Sequence, residues 1–292
     1  MPNLPLITRS ISITLLAVPL GLAVANATPP PVVADPPSTP SGTTAAAVIE
    51  RYIEVTGGRE AWLSLTSIRG MGTITLAGLP AVGQVMVSQT RDGFRMDVDM
   101  FQTGTGTPVK ITHQSTIRNG DLTWREEAGK PPTSITGLAR ADLLRKSVFN
   151  PMLNTAAHYG EIVLEGLDQV NGMPCWKLLL KPIDATASTE IRWFDVADGL
   201  MRKVAETPAG GGVTSELLLS DFKPVGPVLL NHVIVVGQLG ASFERRFDAM
   251  QVDVTIDPCL FEAPESIVES QEPKVDSRSP RPASTPETTR AQ

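Results

Sequence analysis

Cysteine and histidine are nearly missing: the chain has two Cys and three His in 292 residues. Two thiols cannot build a disulfide scaffold or a four-cysteine zinc site. Neither Cys175 nor Cys259 has the Cys-x-x-Cys context of a redox enzyme. His113, His158 and His232 are scattered, with no acidic or thiol cluster at ligand spacing around them, so no metal site is assigned. Positive charge is scarce as well. Lys+Arg total 25 against 31 Asp+Glu, for a net charge of −6, and no Lys/Arg block occurs. Nucleic acid, whose binding needs a positive field to displace counterions, is excluded as a partner. No G-x-S-x-G elbow, H-E-x-x-H pair, P-loop or G-x-G-x-x-G turn is found. No catalytic residue and no cofactor is implied. What is present is a hydrophobic fraction of 41%, ample for a folded core.

The two ends differ from the middle. Arg9, the apolar run Ile11–Ala25 and the small-x-small triplet Ala25-Asn26-Ala27 give residues 1–27 the form of a cleaved export signal. The apolar run is short for a membrane span of about 20 residues; an N-terminal anchor is the alternative reading. Export places the mature chain in the periplasm, with secretion as the second choice. Residues 28–42 hold Pro29, Pro30, Pro31, Pro36, Pro37 and Pro40 and read as a semi-rigid linker. Residues 265–292, rich in Pro, Ser, Thr and Glu, read as a disordered tail. One folded domain, 43–264, remains.

That domain opens with a helix. Thr44 can cap it, Val48, Ile49, Tyr52, Ile53 and Val55 recur at helical spacing, and Gly57-Gly58 ends it. A short helical piece with Ala61, Trp62 and Leu65 follows. From Ile68 the period changes to two. Phe94-Arg95-Met96-Asp97-Val98-Asp99-Met100 alternates apolar and charged, as a sheet with one wet face requires. Further runs are separated by Asp92-Gly93, Asn119-Gly120, Asn171-Gly172 and Asp198-Gly199, dipeptides suited to tight hairpins. A helical stretch, Leu138–Phe149, interrupts them and stops at Asn150-Pro151. The expected fold is α+β: a strongly curved antiparallel sheet of roughly ten to twelve strands, an unclosed half-barrel whose concave apolar face the helices cover.

No polar constellation stands out, but an apolar one does. Phe94, Met96, Val98 and Met100 form a stripe that Ile74, Leu76 and Met86 extend on neighbouring strands. Trp62, Leu144 and Val148 supply the cover. Flexible Met side chains suit a cavity for varied apolar ligands, although the same stripe would serve as plain core. Asp97 and Asp99 share the opposite face and read as its solvated side. Cys175 and Cys259 could be bridged in an oxidising compartment, yet simple meander order does not set them side by side; both states stay open.

The order of elements resembles a known family. Thr56-Gly57-Gly58-Arg59-Glu60-Ala61-Trp62, the strand Ile68–Ile74, the hairpin Val170-Asn171-Gly172-Met173-Pro174-Cys175-Trp176 and the segment Trp193–Lys203 are similar to the bacterial outer-membrane lipoprotein-sorting superfamily, the Lol-type carriers and their periplasmic relatives. So does the closing stretch Val252–Phe261. The resemblance implies an unclosed antiparallel barrel with a helical lid over an apolar cavity. It also implies a non-enzymatic binding protein, a monomer, whose partner is a lipid acyl chain or a lipoprotein. An envelope sensor or scaffold that binds another protein is the alternative, and a hydrolase with residues converging only in space is the second. The lipid-attachment cysteine of the receptor branch is lacking here.

Overall fold

The computed structural model describes residues 42–104, 106–212, 214–238 and 241–271. The expected signal segment, residues 28–41 of the linker and residues 272–292 lie outside the described residues.

Thr44 caps helix α1 (Ala45–Val55) by accepting from the Ala47 N–H at 3.2 Å, and Val48, Ile49 and Ile53 form its buried face. Burial of each such side chain stabilises by about 1.5–3 kcal/mol. The helix ends at Thr56, which is fully buried. Its hydroxyl donates to the Tyr52 carbonyl at 2.8 Å and accepts from the Trp62 indole N–H at 3.1 Å. Its carbonyl accepts from the Leu229 N–H at 2.9 Å. Gly57 follows at φ 126°, and a Cβ there would lie 2.6 Å from the Pro227 carbonyl oxygen. Only glycine meets both conditions. Helix α2 (Arg59–Ser64) then seats Trp62 against Leu65, Ile68, Val228 and Leu230.

The remaining chain builds one sheet of thirteen strands. They are β1 (Ser67–Leu76), β2 (Ala81–Thr90), β3 (Gly93–Gln102), β4 (Val109–Asn119), β5 (Leu122–Glu127), β6 (Thr133–Ser134), β7 (Tyr159–Val170), β8 (Met173–Pro182), β9 (Thr189–Asp195), β10 (Met201–Thr207), β11 (Ser215–Val225), β12 (Val228–Gln238) and β13 (Ala241–Val252). The order is β6-β5-β4-β3-β2-β1-β13-β12-β11-β10-β9-β8-β7, and each pairing is antiparallel. The sheet does not close, since β6 and β7 are its two edges. The fold is therefore α+β, a curved half-barrel. Because β6 and β7 are consecutive in sequence but opposite in space, residues 135–158 must travel from one edge to the other. That connection carries α3 (Gly137–Lys146) and α4 (Thr155–His158).

Several expectations shift. The sheet has one strand more than the upper estimate, because β6 is only two residues long and leaves no periodicity to read. The helix expected over Leu138–Phe149 stops at Lys146, with Ser147 as its C-cap. Asn171 (φ 50°) and Gly172 (φ 79°) do form a left-handed turn pair. Gly93 instead lies within β3, where a Cβ would meet the Phe261 ring at 2.7 Å. Residues Glu265–Gln271, expected in a solvated tail, form α5. Its Ile267, 2% exposed, packs with Ile117 and Trp124 on the outer face, so one aliphatic finds a ready apolar seat. The two cysteines are free, Cys175 buried in β8 and Cys259 exposed in the 3-10 helix Pro258–Phe261. That helix packs on β3 and β4, on the other side of the sheet's midline from β8.

Replacing Thr56 by Val keeps the shape but leaves the Trp62 indole N–H buried without an acceptor. The variant should lose about 1–3 kcal/mol in denaturant unfolding, whereas Thr56→Ser should stay within about 1 kcal/mol of the parent.

Candidate functional site

Directly paired residues of an antiparallel sheet point to one face, so the register assigns each expected site residue. Phe194 of β9 packs under α1, which marks the covered, concave face. Following the pairs Arg192↔Val204, Val204↔Leu217, Leu217↔Val236, Ile234↔Arg245, Arg245↔Ile74, Ile74↔Gly83 and Gly83↔Met100 carries that face across the sheet. Phe94, Met96, Val98 and Met100 share it, as do Ile74 and Leu76. Ile74, Val98 and Met100 are buried, while Leu76, Phe94 and Met96 are half-buried.

Met86 is a correction. It pairs with Met71 and Asp97, so it points outward and is 37% exposed. In the β2–β3 hairpin Gln89 faces Phe94, hence odd positions of β2 oppose even positions of β3, and Met86 is out of phase with the stripe. Trp62 lies on the helical cover but within the seat formed by α2, β1 and β12, with its N–H held by Thr56.

Helix α3 crosses the concave face in an unusual manner. Leu144 and the following Val148 are only half-buried, and the one fully buried side chain of the helix is Arg145. Its guanidinium donates to the Glu190 carboxylate, to the Tyr159 hydroxyl at 2.9 Å, to Asp142 at 2.8 Å and to the Ser188 carbonyl at 3.2 Å. Arg192 donates to Glu190 at 2.7 Å and to the same Tyr159 oxygen at 2.9 Å. Tyr159 in turn donates to Glu190 at 3.2 Å. Two arginines are thus matched by Glu190 and Asp142 in a space closed to water: Arg145 and Arg192 are each 4% exposed and Glu190 is 0%. Burial pushes the Asp142 carboxyl up, but Lys146, two hydrogen bonds from Ser188 and Arg145 together hold it below its ordinary value.

The C-cap of α3, two residues past Arg145, is held by different groups. The Ser147 carbonyl accepts from Gln89 Nε2 at 2.9 Å and from Arg118 at 3.1 Å. Gln89 and Arg118 are the cross-strand neighbours of Phe94 on either side. The helix end therefore docks at the mouth of the apolar stripe, with Val148 beside it in sequence. Burial lowers the Arg118 pKa against the raising effect of Asp92 and Asp121.

The outer face holds the only arrangement with catalytic geometry among the described residues. Ser115 Oγ lies 3.2 Å from His113 Nε2, and His113 Nδ1 lies 2.7 Å from Asp99, the order of a serine triad. Ser115, however, is 0% exposed. Its hydroxyl donates to Asp97 at 2.5 Å and accepts from Arg95 at 3.1 Å. The proton is directed to Asp97 and the oxygen is closed to substrate, so the group ties β3 to β4. An open depression of about 400 Å³ lies on this end of β1–β3, lined by Thr73, Thr75, Val82, Gly83, Gln84, Phe101 and Pro108. Burial pushes the Cys175 thiol up to about 11, which makes it inert. His232 is buried against the Leu230 carbonyl at 3.1 Å. No group of three metal-ligating side chains occurs among the described residues.

The groups that fasten α3 escaped the sequence reading. Glu190 and Arg192 alternate with Phe194 on one face of β9, but both faces of that strand are covered, so alternation carries no polarity.

Arg145→Met would leave Glu190 to Arg192 and Tyr159 alone and take the guanidinium from Asp142, and should cost about 3–5 kcal/mol. Because the Asp142 pKa is depressed in the folded state, its contribution is fully present above about 3.8 and is lost as pH falls through the lower folded value. Asp142→Asn should therefore flatten the acid limb of stability against pH, measured by urea unfolding between pH 2 and 6 (about the span over which a carboxylate titrates).

No protein-family model matches the sequence, and no curated protein matches it. Solved structures do match. The LolA superfamily protein NE2245 from Nitrosomonas europaea superposes with a TM-score of 0.52 at 14% identity, covering 76% of this chain and 99% of that one. An outer membrane lipoprotein-sorting protein domain from Vibrio parahaemolyticus gives a TM-score of 0.50 at 13% identity, covering 73% and 97%. The unclosed antiparallel sheet of this chain is thus a fold it shares with these two structures, each of which it matches over nearly that structure's full length.

Proposed function

We propose that the chain is an exported, non-enzymatic carrier of the cell envelope that shelters lipid acyl chains, free or on a lipoprotein, between the concave sheet and α3. One observation carries this reading. Phe94, Met96 and Leu76 stay half-buried on the concave face, Leu144 on α3 and Val148 just past it are half-buried too, and the one fully buried side chain of α3 is an arginine. A filled core would bury Phe94 and Met96 as it buries Val98 and Met100. The fold shared with a lipoprotein-sorting domain supports the same reading. Periplasmic residence is part of it and rests on the signal-like segment 1–27.

Lifting α3 breaks hydrogen bonds and ion pairs whose groups can be rehydrated. An incoming chain contributes about 0.8 kcal/mol for each methylene it removes from water. No reacting group is needed, since transfer is exchange between two apolar environments.

Saturable binding of a fluorescent fatty acid by the purified protein is expected. Leu144→Asp should weaken it at least about tenfold, since a charge is placed against the chain, while the outward-facing Met86→Asp should leave it unchanged. Equal effects of the two variants, or no binding to the parent protein, would overturn the assignment. Removing the Ser147 clasp with Gln89→Leu and Arg118→Met together should speed both ligand release and amide exchange of α3; unchanged rates would show that the clasp does not gate entry.

A further inference from the structure

The concave face carries a cation that the fold does not neutralise. Arg245 of β13 is the cross-strand partner of Ile74 and Ile234, which places it on the concave face among apolar residues. Its guanidinium stacks 5.5 Å from the centre of the Phe247 ring and reaches to 3.4 Å from the Met96 sulfur. Phe247 occupies the space over Gly70, where a Cβ would come within 3.0 Å of the ring. A ring face and a thioether are poor partners for five N–H donors. Nε is shielded from solvent and has no acceptor, and no carboxylate lies within ion-pair distance of Arg245 among the described residues. The contrast with Arg145 and Arg192, matched by Glu190 and Asp142, is sharp. Burial pushes the Arg245 pKa down to about 10, which still leaves it charged at neutral pH.

A second arginine on this face has no ion pair among the described residues. Arg125 of β5 pairs with Thr116, and Thr116 pairs with Met96. Arg125 is on the same face, two strands or about 10 Å from Met96 along the sheet. Its Nε is also shielded without an acceptor. Both arginines border the stripe Phe94–Met100.

We propose that the site takes an acyl chain bearing a compact anionic head, a carboxylate or a phosphate, with Arg245 as the counter-ion beside Met96 and Arg125 as a second contact. The chain then lies along Phe94, Met96 and Val98. This rests on the acyl-chain reading and adds the charge of the head group to it. An anion supplies the acceptors that a half-buried guanidinium lacks, and charge-assisted bonds of this kind are the strong ones.

The test is titration of the purified protein with dodecanoate, dodecyl phosphate and dodecanol, which share one chain and differ only in the head, each below its aggregation threshold. At least one anion should bind about tenfold or more tightly than dodecanol, and the tighter of the two identifies the head-group source. Arg245→Met should remove that preference, bringing the ratio of anion to dodecanol affinity to about one. Equal affinities in the parent protein, or a preference that survives Arg245→Met, overturn the inference while leaving the acyl-chain site standing. Failure of all three ligands overturns both. Should Arg245→Met not fold, Met96→Glu places a carboxylate beside Arg245. It should raise Tm and abolish the anion preference, and a preference left intact would contradict the assignment.

Discussion

A buried charge cluster fastens helix α3 across the concave face of this half-barrel. Helix α3 has Arg140, Asp142, Arg145 and Lys146 among its ten residues, and its one fully buried side chain is an arginine. The helix lies where it does because Arg145 meets Glu190, Tyr159 and Ser188 on the floor beneath it. Removing one partner of such a cluster is costly, whereas water can satisfy all of its members when they separate. A cover fastened in this way opens without exposing a large hydrophobic surface. In the proposed carrier that property would tie the stability of the fold to the entry of a ligand.

The topology explains why a cover exists at all. The sheet runs outward from its centre in two meanders, β1 to β6 and β13 to β7, and leaves consecutive strands at opposite edges. The connection must cross the concavity, so α3 and α4 bridge it. The two halves below are unequal. Beneath α1, Val48, Ile49 and Ile53 pack with Leu178, Leu180 and Phe194 as ordinary core. On the β1–β5 side Gly70 and Gly83 admit the Phe247 ring and the Met100 side chain against the sheet, and the register with β13 shifts between Met71 and Gly72. The half-buried stripe and the unmatched arginines both belong to that side.

Much of this architecture was legible. Thr44, the apolar spacing of α1 and Gly57-Gly58 marked the first helix, and the alternation of Phe94–Met100 marked a strand with its inner and outer residues correctly sorted. The phase between neighbouring strands was not legible, because it depends on how many residues a turn consumes; Met86 was therefore assigned to the wrong face. Gly93 read as a turn residue although its role is to admit the Phe261 ring, a contact 168 residues away in sequence (261 minus 93). Ile267 lay in a segment too polar to suggest order, and only the exposed seat of Ile117 and Trp124 gives it a place. Arg145, Glu190 and Arg192 became visible as a group only when the crossing of α3 brought them together.

The central claim is that the ligand lies on the concave side under α3. The most direct measurement is photo-crosslinking with a diazirine-bearing fatty acid, followed by peptide mapping. The account predicts adducts on β3 within Phe94–Met100 and on the segment Leu144–Val148. Adducts confined to outward-facing residues such as Met71, Met86 and Val82 would contradict it.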